Sequence, residues 1–527
     1  MRSMQWLGFS LPALFLLLFC GCGGVGNGST PAPVTPARLS AANINLIFVV
    51  SEDLNYQASG NGDLNQSTGN LSNQGLQRSL LMAPFLQKNV LGGNNVTGIY
   101  ALEPMTHLQT ANQYPDMVAL ETIQQFALLN KITLPNDQVG TTQYTANSLP
   151  LNAGYGPGLT YGPGTILSGV APPLIYCEGC QGLDFLDNDH SLGDNESLIT
   201  GSGGIIAFNV PGFYVFSAPW ETTQSLVAGI NTSINSQGKY DLTLPASYQG
   251  PNYIYAISMA TAPSEGASLV TFNSNVSPPS TYPVLPPPKL VSAQCPITGH
   301  GAQTYFNIQV TSANGKIPAG INKNETVYMM RHAEAHPTLW WEDGNYVAAG
   351  QWRALDLPYA LLGKLNPIPT QIYSIDPAQA TPSGRLNFSY VRPSLTVEPY
   401  AIASNLPYNL VGDLEIFNIP GSVEQTNQFF FKDPPFPSDP LLLPPQPPSF
   451  SGQTVLLAWE HSHFQPMVNS LLESYGYDGT QKPSSWRDTD YDTIWTVTLD
   501  GVGNLSVNNA LCEGINSATL PATAPQF

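Results

Sequence analysis

Short apolar runs that end in polar turns recur along this chain in a fixed order. Asn45-Leu-Ile-Phe-Val-Val50 and Thr326-Val-Tyr-Met-Met330 both read as buried strands. After each comes a helix-like stretch, opening at Gly75-Leu-Gln-Arg78 in one case and Gly350-Gln-Trp-Arg353 in the other, with a proline at Pro84 and Pro358. Next come the strand-like segments Ile99-Tyr-Ala-Leu-Glu103-Pro104 and Ile372-Tyr-Ser-Ile-Asp376-Pro377. Late in each set lies an aromatic, β-branched run, Tyr253–Ile257 and Thr493–Val497. Strands alternating with helices predict an α/β fold. The same order met twice predicts two tandem three-layer α/β domains, each with a mostly parallel central sheet flanked by helices.

Boundaries follow from the breaks in this pattern. The first domain is expected over residues 43–276 and the second over 325–527. Residues 277–324, rich in proline at their start, read as linker and connecting segment. A second proline-rich stretch, Pro434–Pro448, reads as a surface loop of the second domain. Ahead of both domains, Arg2 precedes an apolar run from Leu7 to Phe19, with the length of a signal-peptide core. The run ends in Phe19-Cys20-Gly21-Cys22, which resembles a bacterial lipobox with Cys22 as the lipidated residue. Residues 1–22 are then a lipoprotein-type signal and 23–42 a flexible tether. The expected place is the bacterial cell envelope, with a lipid anchor in the membrane and the domains facing periplasm or cell surface. A cleaved signal without lipid, giving a secreted protein, is the other reading.

Charge changes the picture further. Only 10% of the 527 residues are Asp, Glu, Lys or Arg, against roughly 25% in ordinary domains. The formal net charge of −19 argues against a nucleic-acid partner, whose phosphates attract clustered Lys and Arg. A small anion can still be held by a few well-placed arginines. In an exported chain the remaining Cys177, Cys180, Cys295 and Cys512 suggest disulfides, with three pairings open.

Four of the seven histidines fall in two short segments. One is Arg331-His332-Ala333-Glu334-Ala335-His336, at the end of an apolar run. The other is Glu460-His461-Ser-His463, at the end of Val455-Leu-Leu-Ala-Trp459. Both place polar groups at the C-terminal ends of strands, where open α/β folds build sites. Arg331-His332-Ala333-Glu334 resembles the signature of the histidine phosphatase superfamily, which includes phosphoglycerate mutases and acid phosphatases. Gly350-x-x-Arg353 resembles the family's following helix, and Tyr390-Val-Arg392-Pro-Ser-Leu-Thr396 the segment with its second arginine. Val455–His461 resembles the late strand with its second histidine. The spacings, about 60 and about 70 residues, also fit. The resemblance spans roughly Glu325 to Gly514.

It implies a phosphoric monoester hydrolase of the acid-phosphatase-like type acting on a small phosphorylated substrate. His332 would attack phosphorus and carry a phosphohistidine. Arg331, Arg392 and His461 would bind the phosphate. No cofactor and no metal are implied. Protonation of the leaving group needs a carboxyl group; Glu334 is the first choice, and Glu460, Asp413 and Glu415 remain open. His336 and His463 read as neighbours, and Arg353 as a structural residue.

The first half lacks this chemistry. Ser51 stands opposite Arg331 and Glu52 opposite His332, and no arginine occurs between Arg78 and Arg331. It reads as a degenerate copy. The rival to an exported phosphomonoesterase is a non-catalytic envelope lipoprotein that binds a phosphorylated or anionic ligand.

Overall fold

Each of two mixed sheets carries a central strand that is buried along its whole length. The computed structural model describes residues 39–54, 62–104, 114–135, 143–146, 149, 151–153, 183, 194–235, 238–261, 266–287, 289–292, 295, 304–335, 343–378, 389–411, 422–433 and 449–527. In the first half the elements run β1 (Ile44–Val50), α1 (Asn73–Phe85), β2 (Gly98–Ala101), α2 (Val118–Leu129), β3 (Ile132–Pro135), β4 (Gln143–Ala146) and β5 (Leu151–Asn152). They continue with α3 (Asp194–Thr200), α4 (Ile205–Phe208), β6 (Gly212–Ala218), α5 (Trp220–Ile234), β7 (Tyr253–Met259) and β8 (Ala267–Asn273). The first sheet has the order β5-β2-β6-β1-β7-β8, and β3 and β4 form a separate hairpin.

The second half runs β9 (Asn307–Val310), β10 (Glu325–Arg331), α6 (Ala348–Ala360), β11 (Gln371–Ile375), α7 (Arg392–Ser404) and β12 (Tyr408–Val411). It then runs α8 (Ser422–Phe431), β13 (Thr454–Trp459), α9 (His461–Ser474), β14 (Thr493–Leu499) and β15 (Leu505–Cys512). Its sheet has the order β12-β11-β13-β10-β14-β15-β9. The first six strands of this order match the first sheet in sequence and in sense. In both sheets the central strand, β1 or β10, is parallel to one neighbour and antiparallel to the other. Against the expectation of mostly parallel sheets, both are mixed: three of the five pairings of the first sheet are parallel, and in the second β14, β15 and β9 all pair antiparallel. Apolar, β-branched and aromatic runs fit a doubly covered strand of either sense, so composition alone could not tell the two apart.

Side chains alternate across each strand. Ile47 and Val49 of β1 join one core cluster, and Leu46 and Phe48 another. In β10, Tyr328 and Met330 join the first of these clusters, and Val327 and Met329 a third. The first cluster is therefore shared. It takes one face of each sheet, together with Met82 of α1, Phe126 of α2, Leu357 of α6 and Leu395 of α7. Gln124 and Asn345 exchange side-chain hydrogen bonds of 2.7 and 3.0 Å across the two halves. Beyond the first 37 residues the chain forms one compact unit.

The segment read as connector does more than connect. Its β9 is the edge strand of the second sheet, and its Cys295 is disulfide-bonded to Cys512 of β15. Cys22, Cys177, Cys180 and Pro434–Pro448 lie outside the described residues. Among the described residues no helix is long and apolar enough to cross a membrane.

Candidate active site

The C-terminal ends of β10 and β13 stand side by side, with Arg331 in register with Trp459. The next residue on each strand is His332 or Glu460, and the His332 amide donates to the Trp459 carbonyl at 3.3 Å. Glu460 caps α9, its side chain accepting from the Ser462 amide. Arg392 opens α7, helped by proline in the first turn. Two helix N-termini thus bring their partial positive charge to this edge. Because β14 runs antiparallel to β10, the loop before it, Trp486–Asp492, reaches the same edge.

His332 is the centre of the group, with only 1% of its surface exposed. Its Nδ1 lies 2.7 Å from the Ala333 carbonyl oxygen. A carbonyl can only accept, so Nδ1 carries the hydrogen and Nε2 presents a lone pair. That Nε2 lies 3.2 Å from Glu460 Oε2. Burial is the main cause that lowers the His332 pKa to about 3, and the charge of Arg392 adds to it. The ring is neutral at neutral pH. The Ala333 amide donates to Thr396 Oγ1 at 2.8 Å, and Thr396 in turn donates to the Arg392 carbonyl at 2.7 Å. This ties the His332 turn to the first turn of α7.

Glu460 joins the rest. Its carboxylate accepts from the Tyr390 hydroxyl and contacts His461 Nδ1. Burial pushes the carboxyl up, but the two histidines beside it outweigh burial and hold the group well below the usual range. His461 reaches outward as well, its Nε2 lying 3.0 Å from Asp488 Oδ1. Arg392 Nη2 donates to the Tyr390 hydroxyl at 3.4 Å, and its guanidinium lies 4.7 Å from that ring's centre. Arg331 stacks on Tyr491 at 4.0 Å, with Nη1 donating to the Asp488 carbonyl at 2.5 Å. Its Nε is buried and has no hydrogen-bond partner among the described residues.

Of the residues singled out from sequence, His332, Arg331, Arg392, His461 and Glu460 come together here. Glu334 is placed differently. Its carboxylate receives Arg353 Nε at 2.9 Å, Arg353 Nη2 at 2.7 Å and the Ser517 hydroxyl at 2.6 Å. Arg353 also pairs with Glu513 and is fully buried. Glu334 is thus part of a structural ion-pair network. His463 is buried beside Thr426 Oγ1 at 3.0 Å and stacks on Trp459. His336, Asp413 and Glu415 lie outside the described residues. Tyr390, Tyr491 and Asp488 were not foreseen. Tyr390 sits two residues before Arg392, a proximity in sequence that could have flagged it; Tyr491 and Asp488 had no such signal.

The arrangement combines a neutral buried imidazole whose Nε2 carries no hydrogen, two guanidinium groups, and a carboxylate that contacts both histidines. Such a set can bind an oxyanion and attack or protonate it. No protein-family model matches the sequence, and no curated protein is significantly similar to it. Solved structures are similar to part of it, two of them as follows. One is the protein histidine phosphatase SixA complexed with tungstate, at 17% identity and a TM-score of 0.23, over 36% of this chain and 97% of the other. The second is the protein assigned as phosphohistidine phosphatase SixA in Agrobacterium tumefaciens, at 14% identity and a TM-score of 0.20, over 33% and 92%.

Proposed function

We propose that this protein is an exported phosphomonoesterase that hydrolyses a small phosphorylated substrate through a phosphohistidine on His332. The observation that carries the reading is the state of His332: neutral, buried, tied through Nδ1, and flanked by Arg331 and Arg392. In this reading Nε2 forms a bond to phosphorus as the bond from phosphorus to the ester oxygen breaks. Arg331, Arg392 and His461 hold the phosphoryl oxygens. Glu460 takes the proton role first given to Glu334, because it contacts the reactive nitrogen. The substrate, bound as its monoanion, brings the proton that Glu460, ionised in the free protein, passes to the leaving oxygen; Glu460 then accepts one from the water that displaces His332 from phosphorus.

The first half is read as a silent copy of the second. The common order and sense of six strands support this. So does the filling of its corresponding edge. Glu52 accepts from the Tyr248 hydroxyl at 2.8 Å, and Arg78 is paired with Asp63 at 2.5 Å. The lipid anchor at Cys22 and the envelope location remain part of the proposal, on the strength of the N-terminal sequence.

The test is hydrolysis of an aryl phosphate and a panel of natural phosphomonoesters, without added metal, by the parent and His332→Ala. Turnover in the parent that is lost in the variant is expected. A folded parent without turnover from acidic to neutral pH would move the assignment to the anion-binding lipoprotein.

A further inference from the structure

His332, Glu460 and His461 bring one ligand atom each to within 4.8 Å of one another. The outward nitrogen of each ring is already occupied. His332 Nδ1 is on the Ala333 carbonyl and His461 Nε2 on the Asp488 carboxylate. The inward nitrogens, His332 Nε2 and His461 Nδ1, therefore face the two oxygens of one carboxylate, Oε2 and Oε1 of Glu460. The Tyr390 hydroxyl donates to Oε2 from outside the group. Lone pairs facing lone pairs need positive charge between them, supplied by protons or by a metal ion.

We infer that His332, Glu460 and His461 form a binding site for a divalent transition metal ion of zinc type, whose occupancy blocks the reactive nitrogen of His332. Two imidazoles and one carboxylate are a donor set zinc favours, with a fourth position left for water or an anion. Each ligand has the supporting contact such sites require: a backbone carbonyl on one ring, a carboxylate on the other and a hydroxyl on Glu460. Tetrahedral bonds of about 2.1 Å separate ligand atoms by roughly 3.4 Å. His332 Nε2 and Glu460 Oε2, at 3.2 Å, are already near this spacing, whereas His461 Nδ1 and Glu460 Oε1 are closer and move apart to admit the ion. Binding displaces protons, so it strengthens as pH rises. Arg331 and Arg392 oppose a dication and favour an anion in the fourth position. Affinity is accordingly expected in the micromolar range rather than that of a structural zinc site.

The metal site rests on the geometry alone; its inhibitory effect rests on the phosphatase reading. The full protein, stripped with chelator, is titrated with Zn²⁺ by calorimetry and with Co²⁺ by visible absorption. One ion per chain is expected, with the intense bands of a four-coordinate cobalt site. Glu460→Gln and His461→Asn abolish it, and Asp488→Asn weakens it about 10-fold or more. His461 is partly exposed, so its variant remains a fair test if Glu460→Gln does not fold. No binding by the folded parent, or binding unchanged in His461→Asn, overturns the site. Aryl phosphate turnover is followed in the same titration. A fall in step with occupancy supports the block. Full turnover at full occupancy overturns the block and, with it, the role of His332 as nucleophile, while the metal site stands. A parent that binds the ion but never turns over substrate overturns the phosphatase reading alone.

Discussion

His332 Nε2 and Glu460 Oε2 face each other at 3.2 Å, and neither atom has a hydrogen of its own to offer while His332 is neutral and Glu460 ionised. One proton shared by this pair would serve a leaving group. Glu460→Gln should reduce hydrolysis of an alkyl phosphate by about 10²–10⁴-fold, the range of a lost general acid. An aryl phosphate, whose leaving group needs less help, should suffer less in its first step. Comparison of kcat/KM across leaving groups checks this; an equal loss for all would assign Glu460 a purely structural role.

Arg392 is buried at the first turn of α7 and reaches Tyr390. Loss of one planar donor group from a phosphate site costs about 10²-fold or more in kcat/KM. Arg392→Ala should show this loss, and Arg392→Lys should restore only part of it, because an ammonium cannot reproduce the fork. Steady-state kinetics on both variants gives the answer, with inorganic phosphate inhibition as a second measure of the same pocket.

Acid should weaken the fold before it charges His332. Burial chiefly lowers His332 to about 3 and His463 to about 4 in the folded protein, against about 6.5 in an unfolded chain. Between these values the unfolded chain binds more protons, so stability falls as pH drops below about 6.5. Urea unfolding at pH 7 and pH 5 should show the loss. His463→Asn should flatten the slope by about one proton if it folds.

Arg353 is fully buried between Glu334 and Glu513, with Ser517 closing the group. Removal of its charge leaves two carboxylates without their partner. Arg353→Met is expected to destabilise the protein by about 3–5 kcal/mol. The midpoint of chemical denaturation measures this, and a change under about 1 kcal/mol would mean that the carboxylates protonate at little cost.

The bond from Cys295 to Cys512 closes a loop with a sequence separation of 217 residues. Replacing both by serine should cost about 2–4 kcal/mol. Protection of β9 and β15 amides from hydrogen exchange should fall more than that of β10. Equal loss throughout would show that the bridge acts on the whole unit.

The central strands were readable because Leu46–Val50 of β1 and Val327–Met330 of β10 are unbroken apolar runs that end abruptly in polar residues, at Ser51-Glu52 and at Arg331-His332. That ending also located the site. The choice among carboxyl groups was not readable. Glu334 is two residues from His332, yet its carboxylate is drawn to Arg353 on α6 and Ser517 near the C-terminus. Neither contact has a local sequence signature. Tyr491 and Asp488 arrive from a loop more than 150 residues away, positioned by the antiparallel sense of β14. The sense of β14 is a tertiary outcome that its apolar pattern does not encode. Strand β9 was hidden for a similar reason: a four-residue edge strand between polar stretches carries little periodicity.

The core shared by the two sheets has a consequence for how this chain can change over time. Met82, Phe126, Leu357 and Leu395 belong to a single apolar cluster built from both halves. Deleting the first half would leave α6 and α7 with that surface facing water, whatever the first half does or does not catalyse. On the silent-copy reading, the first half is kept by the second half's need for a wall, which holds its inward-facing residues and leaves the edge at Ser51 and Glu52 free to vary.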